Sequence, residues 1–509
     1  MGAMLPKPVE STVVERQASK EFSVAVAEMN GWRANMEDAH VIHMKSTWGF
    51  FGVFDGHGGD KCSKFVAKRF SEELESKGCP EDDAAVKQLV LSIDQEFLDS
   101  AQESGSTATM CIVHKPTGDG KHKLRVVNAG DSRVLLGKRD GTIVDGGGTD
   151  SGLTTDHKPN HPSERERIYR CGGHVEESEG GVARVNGDLA VSRGFGDADY
   201  KKTGGPGPED HPVTADPELG NFECDEADFL LLVCDGVSEG DFSNPEVVKL
   251  VADCLSENPD PAVAAKAVCH KAVERNSKDN ITCMLVLFTG PDEKTEKQIE
   301  FNPGPLWVTD HRQFVNAWIA MAAKANYTLP QALEKRFEVI QEELKDSACS
   351  DAKQEQLKEE LAKLGSPEGE KGGQAAKEHW DQKAKEIMSD DDHTESSQES
   401  GISMGLMRML AQHPGGQHAL MQILGANGPR GAVQPAGRRV IAPGLETLKT
   451  AVEQHSKLSW DPRLANLAGA EGEVRKDDPS DGTTNVFFPP PIGLCAWLPT
   501  DILKDVPPS

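Results

Sequence analysis

Short apolar runs that stop at an acid–glycine turn recur through the first 290 or so residues of this 509-residue chain. Residues 48–54 run into Asp55-Gly56, residues 124–128 into Gly130-Asp131, and residues 229–234 into Asp235-Gly236. Runs this short, rich in Val, Phe and Leu, make strands rather than helices. Residues 133–137 follow the Gly130-Asp131-Ser132 turn as the return strand of a hairpin, and residues 281–288, introduced by Asp279-Asn280, make another buried strand. Residues 62–76 and 261–275 carry apolar side chains at helical spacing between them. Many strands with helices grouped between them predict an α+β layered domain.

The carboxylates fall where such a fold would gather them. Asp55, Asp131 and Asp235 each follow a strand, Asp279 precedes one, and Glu37-Asp38 sit in a polar turn. Strand ends share a rim, so acids distant in sequence can meet there. One Asp-Gly after a strand is ordinarily just a turn; four such acids, with an Asp-Gly-His-Gly-Gly and an Arg three residues before Met36-Glu37-Asp38, ask for more. Uncompensated carboxylates in one cleft repel each other, and hard divalent cations with all-oxygen ligation, Mg²⁺ or Mn²⁺ rather than zinc, relieve that. Composition narrows the partners. Eighty-three Asp+Glu against 55 Lys+Arg leave a net charge of −28, which argues against a nucleic-acid groove and a metallonuclease. No run approaches the ~20 apolar residues of a spanning helix. The scattered cysteines show no Cys-x-x-Cys and read as reduced thiols of a cytosolic or nuclear protein. Cys269 and Arg275 have the spacing of a thiol-phosphatase loop, but that segment has helical pattern and no glycine to cradle an anion.

Taken in order, Arg33-Ala34-Asn35-Met36-Glu37-Asp38, Phe54-Asp55-Gly56-His57-Gly58-Gly59, Gly130-Asp131-Ser132-Arg133, Leu153-Thr154-Thr155-Asp156-His157-Lys158-Pro159, Asn186-Gly187-Asp188 through Ser192-Arg193-Gly194-Phe195-Gly196-Asp197, Asp235-Gly236-Val237 and Asp279-Asn280-Ile281-Thr282 resemble the PP2C (PPM) family of metal-dependent serine/threonine phosphatases. The resemblance covers residues 20–290. It implies a β-sandwich of two antiparallel sheets flanked by helices, acting on phosphorylated proteins. By position, Asp55 would bridge two Mn²⁺ or Mg²⁺ ions with the Gly56 carbonyl, Asp235 and Asp279 would hold the first, and Glu37 would reach the second. Asp38 and Asn280 would orient metal-bound waters, and a water ionised between the metals would be the nucleophile; Arg33 would bind phosphoryl oxygens and His57 would protonate the leaving oxygen. A weaker third metal position would use Asp131 and Asp235 with Glu239, where the family commonly has Asp. Residues 173–202 fall where the family carries a flap that helps set substrate preference. The glycine-rich residues 145–152 look like a local loop extension.

Beyond residue 288 the texture changes. Helices are expected at 311–325, 330–345, 353–364 and 375–388, with thin apolar stripes, so residues 305–388 read as a small helical extension. An acidic, Ser-rich break at 389–400 opens a tail, 389–509, expected to be largely irregular and disordered, although residues 401–427 could form Met/Leu-rich helices. The tail region is read as a place for regulators. Gly2 is a candidate myristoylation site and membrane-surface anchor, although Pro6 stands where the usual pattern has Ser or Thr. The rival function is a catalytically dead PP2C-like scaffold acting through its C-terminal region.

Overall fold

The computed structural model describes residues 4–389 and 439–505, apart from residues 117, 119, 179–180, 293–294, 307–309, 347–348, 369–370, 455–463, 465–466, 479–482 and 489–493. Gly2, the break at 390–400, the segment 401–427 and the proline run 489–491 lie outside them. The chain begins with strands β1 (Met4–Ala18), β2 (Ser23–Arg33), β3 (Ala39–Met44), β4 (Trp48–Phe54) and β5 (Gly56–His57). Helices α1 (Lys61–Lys77) and α2 (Asp83–Asp99) follow, then β6 (Gly105–Ser106), β7 (Ala108–His114), β8 (His122–Ala129) and β9 (Arg133–Gly137). Next come α3 (Pro162–Arg170), β10 (Val175–Glu177), β11 (Ala183–Val185), β12 (Phe195–Gly196), β13 (Glu218–Cys224) and β14 (Phe229–Val233). Helices α4 (Asp235–Ser238), α5 (Asn244–Glu257) and α6 (Pro261–Glu274) lead into β15 (Ile281–Leu287) and β16 (Thr295–Asn302).

Two antiparallel sheets, ordered β16-β1-β2-β15-β14-β9 and β13-β8-β7-β4-β3, stack as a sandwich. Side chains alternate across a strand, so each apolar strand feeds two cores. In β14, Leu230 and Leu232 meet Phe51 and Val53 of the facing sheet, while Phe229, Leu231 and Val233 turn outward onto α5 and α6. In β4, Phe50 and Phe54 turn outward onto Phe70 of α1 and Phe97 of α2. Strands buried on both faces must be apolar throughout, as these are. Cys269 is buried in α6, its thiol against the carbonyls of Ala27 and Ile281, so no phosphate loop forms there.

The first sheet reaches past 20–290 at both ends, because β1 and β16 pair from Thr12↔Asn302 to Arg16↔Gln298. Their polar sequences disguise two strands. Arg16 binds Asp260 and Glu300, and Glu15 lies buried against His40, so charge is offset where apolar alternation would otherwise mark a strand. Four helices follow: α7 (Arg312–Lys324), α8 (Leu329–Glu343), α9 (Asp351–Leu364) and α10 (Gln374–Ser389). They bury Phe314, Trp318, Leu333, Ile340 and Trp380 in one cluster with Leu5, Val9 and Val13 of β1 and Phe301 of β16. Thin stripes suffice because Ala317, Ala322 and Ala332 let the elements approach closely. The helices therefore belong to the same compact unit as the sandwich.

A second unit covers 428–509. Its described residues form β17 (Arg439–Ile441), α11 (Leu445–Gln454), β18 (Glu471–Asp478), β19 (Thr483–Phe488), β20 (Leu494–Pro499) and β21 (Lys504–Asp505), with the sheet ordered β20-β19-β18-β17-β21. Val440, Leu448, Val452, Leu467, Val486 and Leu498 make its core. Sequence alone reads this stretch as mostly irregular, since β18 is almost wholly charged or glycine and gives no apolar alternation. Among the described residues, no helix is long and apolar enough to cross a membrane.

Candidate active site

Strand register assembles the site. Met29 of β2 pairs with Ile281 at the start of β15, and Val233 at the end of β14 pairs with both Cys283 and Arg133. In the other sheet, Ala39 at the start of β3 pairs with Phe54 at the end of β4. The segments that carry Arg33, Glu37, Asp38, Asp55, Asp131, Asp235 and Asp279 thus leave the sandwich at one rim. The Asp55 carbonyl accepts the Thr107 amide at 2.8 Å, which ties the β4 end to the strand beside it.

Asp235, Glu239 and Asp279 each offer a carboxylate oxygen within 4.8 Å of the others. Burial, and then the charges of Asp235, Asp38, Asp279 and Asp131, hold the Asp55 carboxyl well above the usual range. Burial and the charges of Asp131 and Asp279 push Asp235 up to about 7. Asp279 rises to about 6 through burial, against the pull of Arg33, whose guanidinium pairs with it. Burial also raises Glu37 and Glu239. Asp38 accepts the Thr282 hydroxyl at 2.6 Å on one oxygen, while its other oxygen is buried with no partner among the described residues.

These features fit divalent cations. The donors are hard oxygens that repel one another, and an orphaned buried carboxylate oxygen is unusual in a settled interior. Gly56 is required: a Cβ there would stand 2.3 Å from the Glu37 carbonyl and 2.9 Å from the Ser63 hydroxyl. That close approach keeps the Gly56 backbone at the pocket. A Cβ on Gly236 would likewise come 1.9 Å from the Asn280 carbonyl.

Two expected participants are otherwise engaged. The Asn280 side chain accepts the Glu37 amide at 2.9 Å and donates to the Asn30 and Asn35 carbonyls, so it fixes the loop that carries Glu37. Asp131 pairs with the Lys158 ammonium, and Glu239 groups with Asp235 and Asp279 while accepting the Lys278 amide at 2.6 Å.

His57 lies beside the acids with its Nε2 2.9 Å from both carboxylate oxygens of Asp197. Burial opposes the imidazolium, but Asp197 outweighs it and the His57 pKa is raised. Asp197 belongs to a motif noted above without a role of its own. What brings it here is a three-stranded ribbon, β12-β6-β5, in which Phe195↔Ser106 and His57↔Gly105 pair. A Cβ on Gly105 would lie 2.1 Å from His57 Nε2 and 2.3 Å from Asp197, so only glycine fits under the pair. Buried Lys201 anchors the ribbon through both oxygens of Asp94 at 2.8 Å and the Gly194 carbonyl at 2.9 Å. The acid after Gly194-Phe195-Gly196 was the available signal; its partner, Gly105, sits in a plain Ser-Gly-Ser.

A family model described as Protein phosphatase 2C matches residues 22–281. Protein phosphatase 1B of Mus musculus is 31% identical over 327 residues, spanning 59% of this chain and 79% of the relative. Protein phosphatase 1A of Bos taurus is 32% identical over 311 residues, 57% of this chain and 76% of the relative. A crystal structure of a phosphatase from a pathogenic strain of Toxoplasma gondii superposes with a TM-score of 0.51 at 28% identity, over 57% of this chain and 100% of that one. With the match, the ordered motifs and the sandwich in agreement, this chain is a member of the protein phosphatase 2C family.

Proposed function

We propose that the chain is a metal-dependent protein phosphatase that hydrolyses phosphoserine and phosphothreonine in proteins. The observation that carries this reading is the rim itself: Glu37, Asp38, Asp55, Asp235, Glu239 and Asp279 gathered in mutual repulsion next to a histidine braced by its own carboxylate. A structural role would not require acids to be held so far from their ordinary ionisation.

Asp55, the Gly56 carbonyl, Asp235 and Asp279 with Glu37 would hold two Mn²⁺ or Mg²⁺ ions. When bound, such ions supply Lewis acidity, which ionises water near neutral pH and offsets phosphoryl charge. Arg33, partly exposed and tethered to Asp279, binds and orients phosphoryl oxygens from the open side. His57 holds a proton at the rim and delivers it to the seryl or threonyl oxygen as it leaves. Asp197 aims the ring and favours its protonated form. Asp131 and Glu239 remain the candidates for a weaker third ion, with Lys158 as the competitor for Asp131. The region after residue 305 would regulate or localise the enzyme, with Gly2 acylation a further means of attachment, read by mass spectrometry of the N-terminal peptide.

The test uses the full chain. It should release phosphate from a phosphothreonine peptide with Mn²⁺, lose that activity in EDTA, and resist okadaic acid. Loss of metal-dependent turnover in the Asp55→Asn/Asp235→Asn double variant supports the assignment; equal turnover, or an inactive wild type, favours the scaffold reading.

A further inference from the structure

Glu37 and Asp38 ride on a segment pinned at several points. Asn280 takes the Glu37 amide, the Ser63 hydroxyl donates to the Glu37 carbonyl at 2.5 Å, and Thr282 donates to Asp38. The last anchor is His40 at the start of β3. Its Nδ1 is 3.2 Å from Glu28 of β2, and its Nε2 is 3.2 Å from Glu15 of β1. Glu28 is the pivot: it opposes Thr282 in the β2–β15 register, so it stands beside the donor to Asp38 as well as against His40. The Glu28 side chain is only 3% exposed. A carboxylate buried so deeply needs compensation, and a large part of it comes from outside the family-matched residues. Lys324, the last residue of α7, places its ammonium 2.8 Å from Glu28. A second lysine, Lys297 of β16, pairs with Glu15 at the far end. The result is one chain of alternating charge, Lys324–Glu28–His40–Glu15–Lys297, buried at its centre and reaching solvent at its two lysines, lying directly behind the acids of the rim.

We propose that the C-terminal helical segment is part of the catalytic apparatus, with Lys324 a positioning residue that holds Glu37 and Asp38 in place through Glu28 and His40. The inference rests on the phosphatase reading for its consequence in turnover, while the placement of Glu37 and Asp38 can be read from cation binding alone. The role is one of orientation, like the outer partners of metal ligands, whose loss commonly costs about 10- to 100-fold in metal affinity or activity.

The experiment compares full-length wild type with Lys324→Met, Lys324→Arg and Glu28→Gln/Lys324→Met. Mn²⁺ binding is measured by titration calorimetry, turnover of a phosphothreonine peptide is measured beside it, and thermal melting checks the fold. The expected result for Lys324→Met is Mn²⁺ binding weakened about tenfold or more, with kcat reduced and KM nearly unchanged; Lys324→Arg should recover most of both. Charge alone has the opposite sign, since removing a cation near an acidic pocket tightens Mn²⁺. Unchanged or tighter Mn²⁺ binding in a Lys324→Met chain that melts like wild type overturns the proposal. Should Lys324→Met fail to fold, the double variant, which buries no unpaired carboxylate, is read by the same criteria. A wild type that binds Mn²⁺ without hydrolysing the peptide defeats the phosphatase reading and leaves the binding comparison to decide this one. A wild type that binds no Mn²⁺ defeats both.

Discussion

Asp235→Asn should make the metal-free protein more stable while abolishing its response to metal. Burial, Asp131 and Asp279 move the Asp235 carboxyl from 3.8 to about 7. Below pH 3.8 both the folded and the unfolded chain hold the proton, and nothing is lost. As pH climbs through 3.8 towards 7, the unfolded chain ionises while the folded one resists, so stability falls; above 7 the loss is complete. At about 1.4 kcal/mol for each tenfold change in proton affinity, the penalty reaches about 4 kcal/mol. The pocket opens to water on one side, so about 2 kcal/mol is a fair net figure, or roughly 2 °C in melting temperature for a unit of this size. Asn is nearly isosteric and cannot ionise, so it removes the penalty. Mn²⁺ at a hundredfold excess over its dissociation constant would add about 2.7 kcal/mol to wild type and little to the variant. The assay is thermal melting of both full-length chains from pH 4 to 8, in EDTA and in Mn²⁺. In EDTA the variant should gain on wild type as pH rises to 7; in Mn²⁺ the order should reverse. A variant that melts below wild type in EDTA at pH 7, or Mn²⁺ shifts of equal size in both chains, would refute the reasoning.

Asp197→Asn should slow hydrolysis of a phosphothreonine peptide by about 10²-fold, the range for losing a positioned general acid, yet slow p-nitrophenyl phosphate only a few-fold, because that leaving group departs as a stable anion; equal losses on both substrates would separate Asp197 from proton delivery. The chain behind the rim gives a second pH signature: Glu15 and Glu28 lie at about 2, through hydrogen bonds and charges that outweigh burial, and His40 at about 9 for the same reasons. The acids' contribution is present above pH 4.5 and lost as pH falls towards 2, whereas that of His40 is present below 6.5 and lost as pH rises towards 9. His40→Gln should therefore flatten the melting profile between 6.5 and 9, and an unchanged slope there would count against a protonated His40. Glu360→Gln should destabilise the helical region by about 3–5 kcal/mol, since Arg336 and Glu360 are only 2% and 3% exposed; a loss under about 1 kcal/mol in urea unfolding would show that Arg336 finds another partner.

What the sequence discloses here tracks how each residue is stabilised. β4 and β14 are apolar on both faces, and their lengths and terminal acids can be read directly. The helices after residue 311 follow from spacing and from caps such as Thr328, whose hydroxyl is reciprocated by Gln331. β1 is hidden because its buried positions include Ser11, Thr12 and Glu15; Ser11 is satisfied by the Gly304 amide, and Glu15 becomes favourable only once His40 and Lys297 arrive from elsewhere in the chain. Asp197 is hidden in a different way: it lies 140 residues from His57 and reaches it through a ribbon whose middle strand is two residues long. No local pattern announces a contact made by so small an element. Lys324 is the extreme case, an ordinary C-terminal helix lysine by sequence and a counter-ion to a buried carboxylate in the fold.

The two charge assemblies differ in a way that accounts for their adjacency. At the rim, acids outnumber the cations Arg33 and Lys158, and the imbalance appears as carboxyl groups that resist ionisation. Immediately behind, the chain from Lys324 to Lys297 alternates sign and ends in cations at both sides, so every carboxylate there is held well below its ordinary range. A pocket of like charges would relax by swinging its side chains apart unless the backbone beneath were stiff. Hydrophobic packing could supply stiffness, but its attraction is non-directional and cannot aim a carboxylate. Hydrogen-bonded ion pairs can, because they fix both distance and angle. The repulsion that makes the rim receptive to cations therefore calls for a polar support behind it, and in this chain that support extends to α7, beyond the residues that the family model matches.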